Sequence, residues 1–317
     1  MGLGGQALES VFKKDFGGHD RHKYPEGIFR VTGGHGGEGL LIAGREKTVL
    51  YDGGMACFKD NVIRNIYEVL DFLGRREQGL DYVILSHTHY DHLGVLPYII
   101  EEWPDVKVCA AEKAVNVFKS SGAKRTMKEL GQSAAKQYGY EGFDVKVDGM
   151  RVDVILHDGD RLMLAEDEWI ECYLTKGHTD CSMTYLLMPS KIMLACESTG
   201  VLDGPDKMHT AVLKDFDETI RMAQVLREMD YDYLISPHFG IVPEWFNKEY
   251  FSLYIKTAKE ERKLLMSGLE RGLSEEQIAD EHKVKYWSAE RAKEHPYAAY
   301  RLNTEIMIRN FIKENER

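Results

Sequence analysis

Metal-binding side chains are crowded into one short segment of the chain, the string HTHYDH at residues 87–92, which directly follows an apolar run typical of a buried strand. In an extended segment His87 and His89 point to the same side and suit one metal ion. The turn that follows lets Asp91 and His92 face an adjacent site. The spacing therefore predicts a centre that holds two metal ions.

Two metal ions need more than four ligands, and further candidates stand at other strand ends. His178 comes shortly after the run ECYLT, Glu197 follows KIMLAC and His238 follows YDYLISP. A rigid sheet brings the residues at its strand ends to a common rim. We therefore expect all three side chains to meet the 87–92 segment at one edge of the fold.

The segments that must position these ligands alternate between strand-like and helical patterns. Apolar and β-branched runs that end at Gly or Asp-Gly turns predict strands, and apolar residues at helical spacing predict helices. The strand-like segments are 28–52, 81–86, 106–111, 145–164, 169–177, 183–196 and 231–240, and the helical ones are 61–73, 96–102, 112–138 and 216–229. This mixture predicts an α+β fold.

The last part of the chain has a helical pattern only. Ser274 and Gln277 have the spacing of a capping box that opens a helix. The apolar stripe of the last predicted helix consists of Tyr300, Met307 and Phe311. We therefore divide the chain into a catalytic domain, residues 1–244, and a helical C-terminal extension, residues 245–317.

The acidic excess of the chain belongs to the first of these parts. The 317 residues carry a formal net charge of -11 at pH 7, yet residues 245–317 contain 14 basic and 13 acidic side chains. Proteins that follow nucleic acid phosphates concentrate positive charge, so we expect no nucleic acid partner. The expected partner is a small-molecule substrate that is neutral or weakly charged, and the sequence leaves a homodimer open.

Cysteine usage and hydropathy favour a cytoplasmic protein. The five cysteines form no CxxC pair, which is typical of free thiols in a reducing compartment. No apolar run approaches the ~20 residues that a membrane span needs, so we expect no membrane partner. The N-terminal segment has no apolar signal-peptide core. The expected location is therefore the cytoplasm.

A glycine-rich string at residues 34–39, GHGGEG, satisfies a dinucleotide-binding pattern but lacks its context. That pattern needs a following helix whose N-terminus meets the pyrophosphate, whereas a strand-like run follows here. We interpret the string as a loop that borders a pocket. The candidate pocket residues are His35 in this loop, Cys181 and His209, with a packed thiol as the alternative for Cys181.

Together these motifs resemble the metallo-β-lactamase superfamily of binuclear hydrolases, over roughly residues 25–245. The string at 87–92, the later Gly-His-Thr, the carboxylate after a strand and the final His are motifs of that family, and YDGG at residues 51–54 looks like its early Asp-x-Gly element. The resemblance implies a four-layer αββα sandwich with the metals at one edge. It is specific for the fold and the metal site, and it says little about the substrate.

The resemblance also implies which residues bind each ion. By the family pattern the ligands of one ion are His87, His89 and His178, and those of the other are Asp91, His92 and His238. The same pattern implies two further acidic residues at the centre, one as a shared ligand and one behind the ligands.

The bridging position falls on Glu197, where the family usually has Asp. We expect Glu197 to bridge the two ions, although a Glu turned away would leave a single occupied site. Asp52 falls where the family braces the metal loop from behind. It is expected to orient a ligand, and a plain turn Asp before two glycines is the alternative.

The resemblance implies a metal-dependent hydrolase. Two divalent ions, zinc or iron with manganese as a further option, would provide a bridging hydroxide that attacks an acyl carbon, and Asp91 would carry a proton to the leaving group. The ligand spacing and the helical extension are most similar to the quinolone-signal-response thioesterase branch. The predicted reaction is therefore cleavage of a small thioester, ester or lactone, with residues 245–317 as a cap.

Alternative interpretations stay open. The metal could serve a ligand-binding or regulatory protein with little turnover. A diiron redox protein is a further alternative because flavodiiron proteins share the metal-motif spacing, but they usually carry Glu where His89 stands and add a flavodoxin domain. The C-terminal stripe could also seal the sandwich flank instead of capping a pocket. The remaining histidines, expected at the surface, are His19, His22, His157, His282 and His295.

Overall fold

Two six-stranded sheets form the centre of the molecule in a computed structural model that describes residues 24–204, 207–242, 246–289 and 291–315. The strands of the first sheet, in spatial as well as chain order, are β1 (Ile28–Arg30), β2 (Leu40–Ala43), β3 (Thr48–Tyr51), β4 (Tyr82–Ile84), β5 (Lys107–Ala111) and β6 (Val154–Leu156). The first three strands pair antiparallel and the last four pair parallel. Parallel pairing needs crossover connections, which the helices between these strands provide.

The helices of the first half are α1 (Lys59–Leu73), α2 (Tyr90–Leu93), α3 (Leu96–Glu102), α4 (Glu112–Lys119) and α5 (Ser121–Gln137). Gly74 ends α1 in the left-handed conformation that glycine adopts without a steric penalty, with φ 67°. The helix predicted over 112–138 is divided in two. Ser120 leaves the helical conformation there, and its hydroxyl caps α5 by accepting a hydrogen bond from the Ala123 amide.

The second sheet contains β7 (Arg161–Ala165), β8 (Glu168–Leu174), β9 (Met183–Met188), β10 (Ile192–Leu194), β13 (Tyr233–Ser236) and β14 (Gly240–Val242), in the spatial order β14-β13-β10-β9-β8-β7. Strands β11 (Val201–Gly204) and β12 (Lys207–His209) form a separate antiparallel pair. The strand-like segment predicted at 145–164 is mostly irregular, because only β6 and the start of β7 join a sheet.

The two sheets lie face to face, and the alternation of side chains along the second sheet shows the layers. Leu187 and Ile192 belong to the core shared with the first sheet, whereas Leu186 and Met193 pack in a second core against helices. The hydroxyl of Tyr185 donates to the Leu85 carbonyl across the sheets at 2.7 Å. These layers confirm the predicted αββα sandwich.

The helices of the second half are α6 (Phe216–Arg227), α7 (Asn247–Glu270), α8 (Glu275–Tyr286), α9 (Arg291–Glu294) and α10 (Tyr297–Asn315). Ser274 and Gln277 form the predicted capping box at the start of α8. Met307 and Phe311 of α10 are buried in the same core as Leu234 of the second sheet. The C-terminal helices therefore share a hydrophobic core with the sandwich, and the predicted boundary at 244/245 lies outside the described residues.

The structure bears on the hydropathy of the helices and on the state of the cysteine thiols. Within the described ranges no helix combines the length and the apolar character that crossing a membrane requires. All five cysteines are buried and unpaired. The thiols therefore pack as small apolar groups, as free cysteines commonly do.

Candidate metal centre

Strand ends from both sheets deliver the predicted ligands to one edge of the sandwich. His87 and His89 follow β4 of the first sheet, and Asp91 and His92 lie in the short helix α2 that begins immediately afterwards. The remaining ligands come from the second sheet or the segments that leave it, and they are His178 after β8, Glu197 after β10 and His238 between β13 and β14. Rigid strands thus carry residues that are far apart in sequence to a common place.

The seven side chains form two adjacent groups that share one carboxylate. One group contains His87, His89, His178 and Glu197, the other contains Asp91, His92, Glu197 and His238, and within each group the ligand atoms lie within 4.8 Å of one another. These are the two ligand sets expected from the family resemblance, with Glu197 common to both. The part played by each residue in binding a metal ion stays a prediction.

Hydrogen bonds behind the ligands fix which nitrogen of each ring faces the centre. His178 Nδ1 lies 2.6 Å from the Ala211 carbonyl oxygen and donates to it, so His178 Nε2 is the ring nitrogen that faces the centre. His178 Nε2 lies 2.6 Å from Glu197 Oε2 and 2.9 Å from His89 Nδ1. This ring is therefore oriented with Nε2 as its candidate metal-binding atom.

Asp52 braces the other side of the centre. Its Oδ2 lies 3.0 Å from His92 Nδ1, and its Oδ1 accepts a hydrogen bond from the Ser86 amide at 2.8 Å. The Ser86 hydroxyl donates to Asp52 and lies 2.9 Å from His87 Nδ1. One buried carboxylate thus orients two ligand rings, directly and through a serine, which is the position predicted for Asp52.

The donor set fits a pair of divalent cations. His87 Nε2 is buried without a hydrogen-bond partner among the described residues, and His92 Nε2 lies 3.2 Å from His238 Nε2. Because the far nitrogens of His87 and His92 are engaged by Ser86 and Asp52, the Nε2 atoms of both rings face the centre. Imidazole nitrogens and carboxylate oxygens in this arrangement suit zinc, iron or manganese.

Burial and neighbouring charges separate the pKa values of these ligands. Burial lowers the pKa of His89 to about 3 and that of His87 well below its usual range, so both rings are neutral at pH 7. Burial alone would also lower the pKa of His92, but the Asp91 carboxylate raises it well above its usual value. Burial alone would raise the pKa of Glu197, but His178 holds it well below its usual value. Metal ions must therefore displace protons from the His92 side of the centre.

The glycine loop packs directly on the ligands. The Gly37 amide donates to the Asp91 carbonyl at 2.9 Å, and a Cβ atom on Gly37 would lie 2.5 Å from His92 Nδ1. Only glycine allows this close approach of the backbone to the ring. His35 in the same loop does not line the cavity beside the metal centre, because its ring stacks on Tyr138 at a centroid distance of 4.5 Å. The expectation for His35 is corrected accordingly.

A cavity of about 480 Å³ opens beside the ligands. His89, Asp91 and Glu197 form one end of it. Its apolar walls come from α5 and α10 and include Met127, Leu130, Ala299, Leu302 and Ile306. The C-terminal helices therefore contribute directly to the wall of the cavity.

The two other candidate pocket residues lie close to this edge. Cys181 lines the cavity, and its Sγ lies 3.3 Å from the hydroxyls of Thr88 and Thr179, so the thiol is packed as well as adjacent. His209 lines a small recess of about 20 Å³ together with Glu197 and His238. Burial lowers the pKa of His209 well below its usual range, which makes it a neutral ring beside the centre.

Two histidines of the C-terminal helices are not at the surface, contrary to the prediction. His295 lines both the cavity and the small recess, and its Nε2 is buried with no partner in the described ranges. His282 is buried between Glu261 and Tyr300. Both were missed because the tail sequence has no motif around them; only the folding of α8 and α10 onto the sandwich encloses them. His157 is exposed as expected, and His19 and His22 lie outside the described residues.

Two curated proteins are similar to short stretches of this sequence. A nitric oxide reductase of Moorella thermoacetica is 32% identical over 75 residues, 24% of this chain and 18% of that protein. A hydroxyacylglutathione hydrolase of Parasynechococcus marenigrum is 44% identical over 43 residues, 14% of this chain and 17% of that protein. The chain thus spans less than a fifth of the length of these curated relatives.

A solved structure shows the likeness of the whole fold. A metallo-β-lactamase family protein of Thermus thermophilus superposes with a TM-score of 0.62 at 16% identity, over 92% of this chain and 95% of that one. Residues 33–238 match the sequence pattern of the metallo-β-lactamase superfamily. This match covers well over half of the chain and includes all seven candidate ligands, and the chain therefore belongs to the metallo-β-lactamase superfamily.

Proposed function

We propose that the protein is a metal-dependent hydrolase that cleaves a small acyl compound, namely a thioester, an ester or a lactone. One observation carries this proposal: the candidate ligands His89, Asp91 and Glu197 line the same cavity as the apolar residues of α5 and α10. An apolar chain in that cavity would place its terminal acyl group against the ligands. Pockets with apolar walls and a few convergent polar groups are the usual sites for such compounds.

The side chains around the cavity would bind the metal ions and transfer a proton in this reaction. Divalent cations held by the two ligand groups would supply a water of lowered pKa and polarise the acyl carbonyl. The Asp91 carboxylate faces the same space, where it can accept a proton and pass it to the leaving group. Burial alone would raise the pKa of Asp91, but His92 holds it below its usual value, so the carboxylate is ionised and ready to accept.

His295 is the second polar group that we assign to the substrate. Its Nε2 lies buried at the cavity without a partner in the described part of the chain, and burial lowers its pKa to about 4. A neutral imidazole whose Nε2 carries the proton can donate a hydrogen bond to the leaving group. A buried polar group without a hydrogen-bond partner costs folding free energy, and a hydrogen bond to the substrate would satisfy His295 Nε2.

The C-terminal helices set the shape of the cavity in this proposal. Ala299, Leu302 and Ile306 of α10 form one wall, opposite Met127 and Leu130 of α5. They would act as the cap predicted from the sequence and select slender acyl chains. The relative named a hydroxyacylglutathione hydrolase supports acyl hydrolysis as the reaction type.

The test is turnover by metal-loaded protein on acyl thioesters, aryl esters and lactones with acyl chains of increasing length. We expect turnover of at least one class, its loss in H89A, and a preference for shorter chains in L302W, which fills the cavity. H157A is the matched control, because His157 is exposed and pairs with Asp160 at the surface.

Metal-loaded protein that turns over none of these compounds would contradict the proposal. If the same protein bound octanoate without any turnover, the regulatory alternative would take its place.

A further inference from the structure

A strained loop supplies the acceptor that orients His178. This loop, residues 210–214, joins β12 to α6, and the Ala211 carbonyl accepts the hydrogen bond from His178 Nδ1 at 2.6 Å. Ala211 has a φ of 52°, in the left-handed region that residues other than glycine rarely adopt. Such a strained conformation persists only where the surroundings hold it.

The helical C-terminal extension, residues 245–317 and called the tail from here on, holds the loop on the N-terminal side of Ala211. The Thr210 hydroxyl donates to Glu261 Oε2 on α7, and both side chains are buried. The other oxygen of Glu261 lies 2.6 Å from His282 Nε2 on α8, and His282 Nδ1 lies 2.7 Å from the Tyr300 hydroxyl on α10. A buried polar network thus ties three C-terminal helices to one loop residue.

The tail also holds the loop on the C-terminal side of Ala211. Asn310 of α10 donates from Nδ2 to the Leu213 carbonyl at 2.8 Å. The amides of Leu213 and Lys214 donate to the Gly177 carbonyl, next to His178 in the chain. The loop is therefore fixed at both ends, by the tail and by the segment that carries the ligand.

We propose that the tail clamps the 210–214 loop through Glu261 and Asn310, so that the Ala211 carbonyl fixes the His178 ring for metal binding. Thr210, Glu261 and Asn310 are positioning residues in this scheme, since none of them touches the metal. The proposal rests on the metal centre and not on the acyl chemistry. Loss of the outer hydrogen-bond partner of a metal-binding histidine typically lowers metal affinity by about 10–100-fold.

The test compares zinc affinity in full-length variants, measured by competition with a chromophoric chelator and without any substrate. T210V removes only the hydroxyl that reaches Glu261, and we expect it to weaken zinc binding by about tenfold. T210S keeps the hydroxyl and should retain wild-type affinity. The matched control is T48V, because Thr48 is a buried threonine of the first sheet whose hydroxyl accepts a hydrogen bond from Arg75, outside the network of Glu261, His282 and Tyr300.

Two further variants separate positioning from a general loss of stability. N310L breaks the clamp from the other side and should also weaken zinc binding; if T210V does not fold, N310L decides the matter. Glycine adopts a positive φ without strain, so adding A211G to T210V should restore part of the zinc affinity.

Wild-type zinc affinity in both T210V and N310L would overturn the proposal. An equal loss in T48V would also overturn it, since that variant leaves the loop and the tail untouched. Neither result depends on turnover, so failure here is distinguishable from failure of the proposed hydrolysis.

Discussion

His92 and His178 stand in opposite ligand groups and are held by different kinds of acceptor. His92 Nδ1 meets the Asp52 carboxylate, which also receives two hydrogen bonds from Ser86. His178 Nδ1 meets a backbone carbonyl in a strained loop that the C-terminal helices hold. The sandwich thus orients His92, and His87 through Ser86, by itself, whereas the orientation of His178 depends on the tail. The rings held by Asp52 and the ring held by the loop should therefore respond differently to substitutions.

The largest effect is expected at Glu197, which is common to both groups. E197Q keeps the shape of the side chain but removes the charge that the two groups share. Because a neutral amide is a weak ligand, the metal content should fall from about two ions per chain to about one. Elemental analysis of desalted, metal-loaded protein measures this content.

The control for this change is E197D, which keeps a carboxylate and should retain more metal than E197Q. Two ions in E197Q would show that Glu197 is turned away from the centre and that the groups are independent.

The second-largest effect distinguishes the Asp52 carboxylate, which orients His92, from the Ala211 carbonyl, which orients His178. The Asp52 carboxylate accepts from the Ser86 amide, the Ser86 hydroxyl and His92 Nδ1. The amide in D52N has only one acceptor oxygen for these three donors. His92, and His87 through Ser86, should therefore lose their orientation. We expect zinc affinity to fall by about 10–100-fold, more than in T210V, and the free energy of unfolding to fall by about 1–3 kcal/mol. Chelator competition and urea denaturation measure these two quantities.

D60N is the control, because Asp60 is an exposed aspartate that pairs only with the neighbouring Lys59. A smaller loss in D52N than in T210V would reverse the comparison between the self-braced side and the side that the tail holds.

The smallest effect concerns the pH dependence of stability through His295. Burial lowers the pKa of His295 to about 4 in the folded protein, against about 6.5 in an unfolded chain. Between these values the unfolded state binds more protons, so this residue contributes stability above pH 6.5 that is lost as the pH falls towards 4. Metal-free wild type should therefore lose about 1–2 kcal/mol more than H295Q between pH 7 and pH 4.5, as measured by urea denaturation.

H157Q is the control for this experiment, since His157 is exposed. Parallel pH curves for wild type and H295Q would show that the tail does not bury His295 against the sandwich.

The sequence could predict the centre because its signals are local. His87 and His89, separated by one residue after a buried strand, were found from the alternation of side chains in an extended segment. The single candidate ligands at three other strand ends were found from the strand pattern and the motifs of the family. Asp52 could be found by its place in the family pattern, and the capping box at Ser274 by its own spacing. The division of the helix at Ser120 escaped prediction because serine is tolerated inside many helices, and only its capping bond reveals the break.

The residues that the sequence could not assign lie where distant segments meet. His295 and His282 are single histidines in a helical tail, and no local pattern distinguishes an exposed ring from an enclosed one. Likewise, nothing in the string around Ala211 predicts a left-handed backbone or a carbonyl aimed at His178. The expectation for His35 rested on the glycine loop bordering the pocket, but the ring of His35 stacks on Tyr138 instead.

The sequence by itself determined the α+β fold, the family and the set of candidate ligands, because residue types and their spacing at strand ends are properties of the chain. The tertiary structure decided how each ligand is oriented and what encloses the cavity, because those contacts join residues far apart in sequence. Thr210 and Glu261 are separated by 51 positions and His178 and Ala211 by 33. Such pairs form only when distant segments pack together, which is a property of the folded core and not of any local motif.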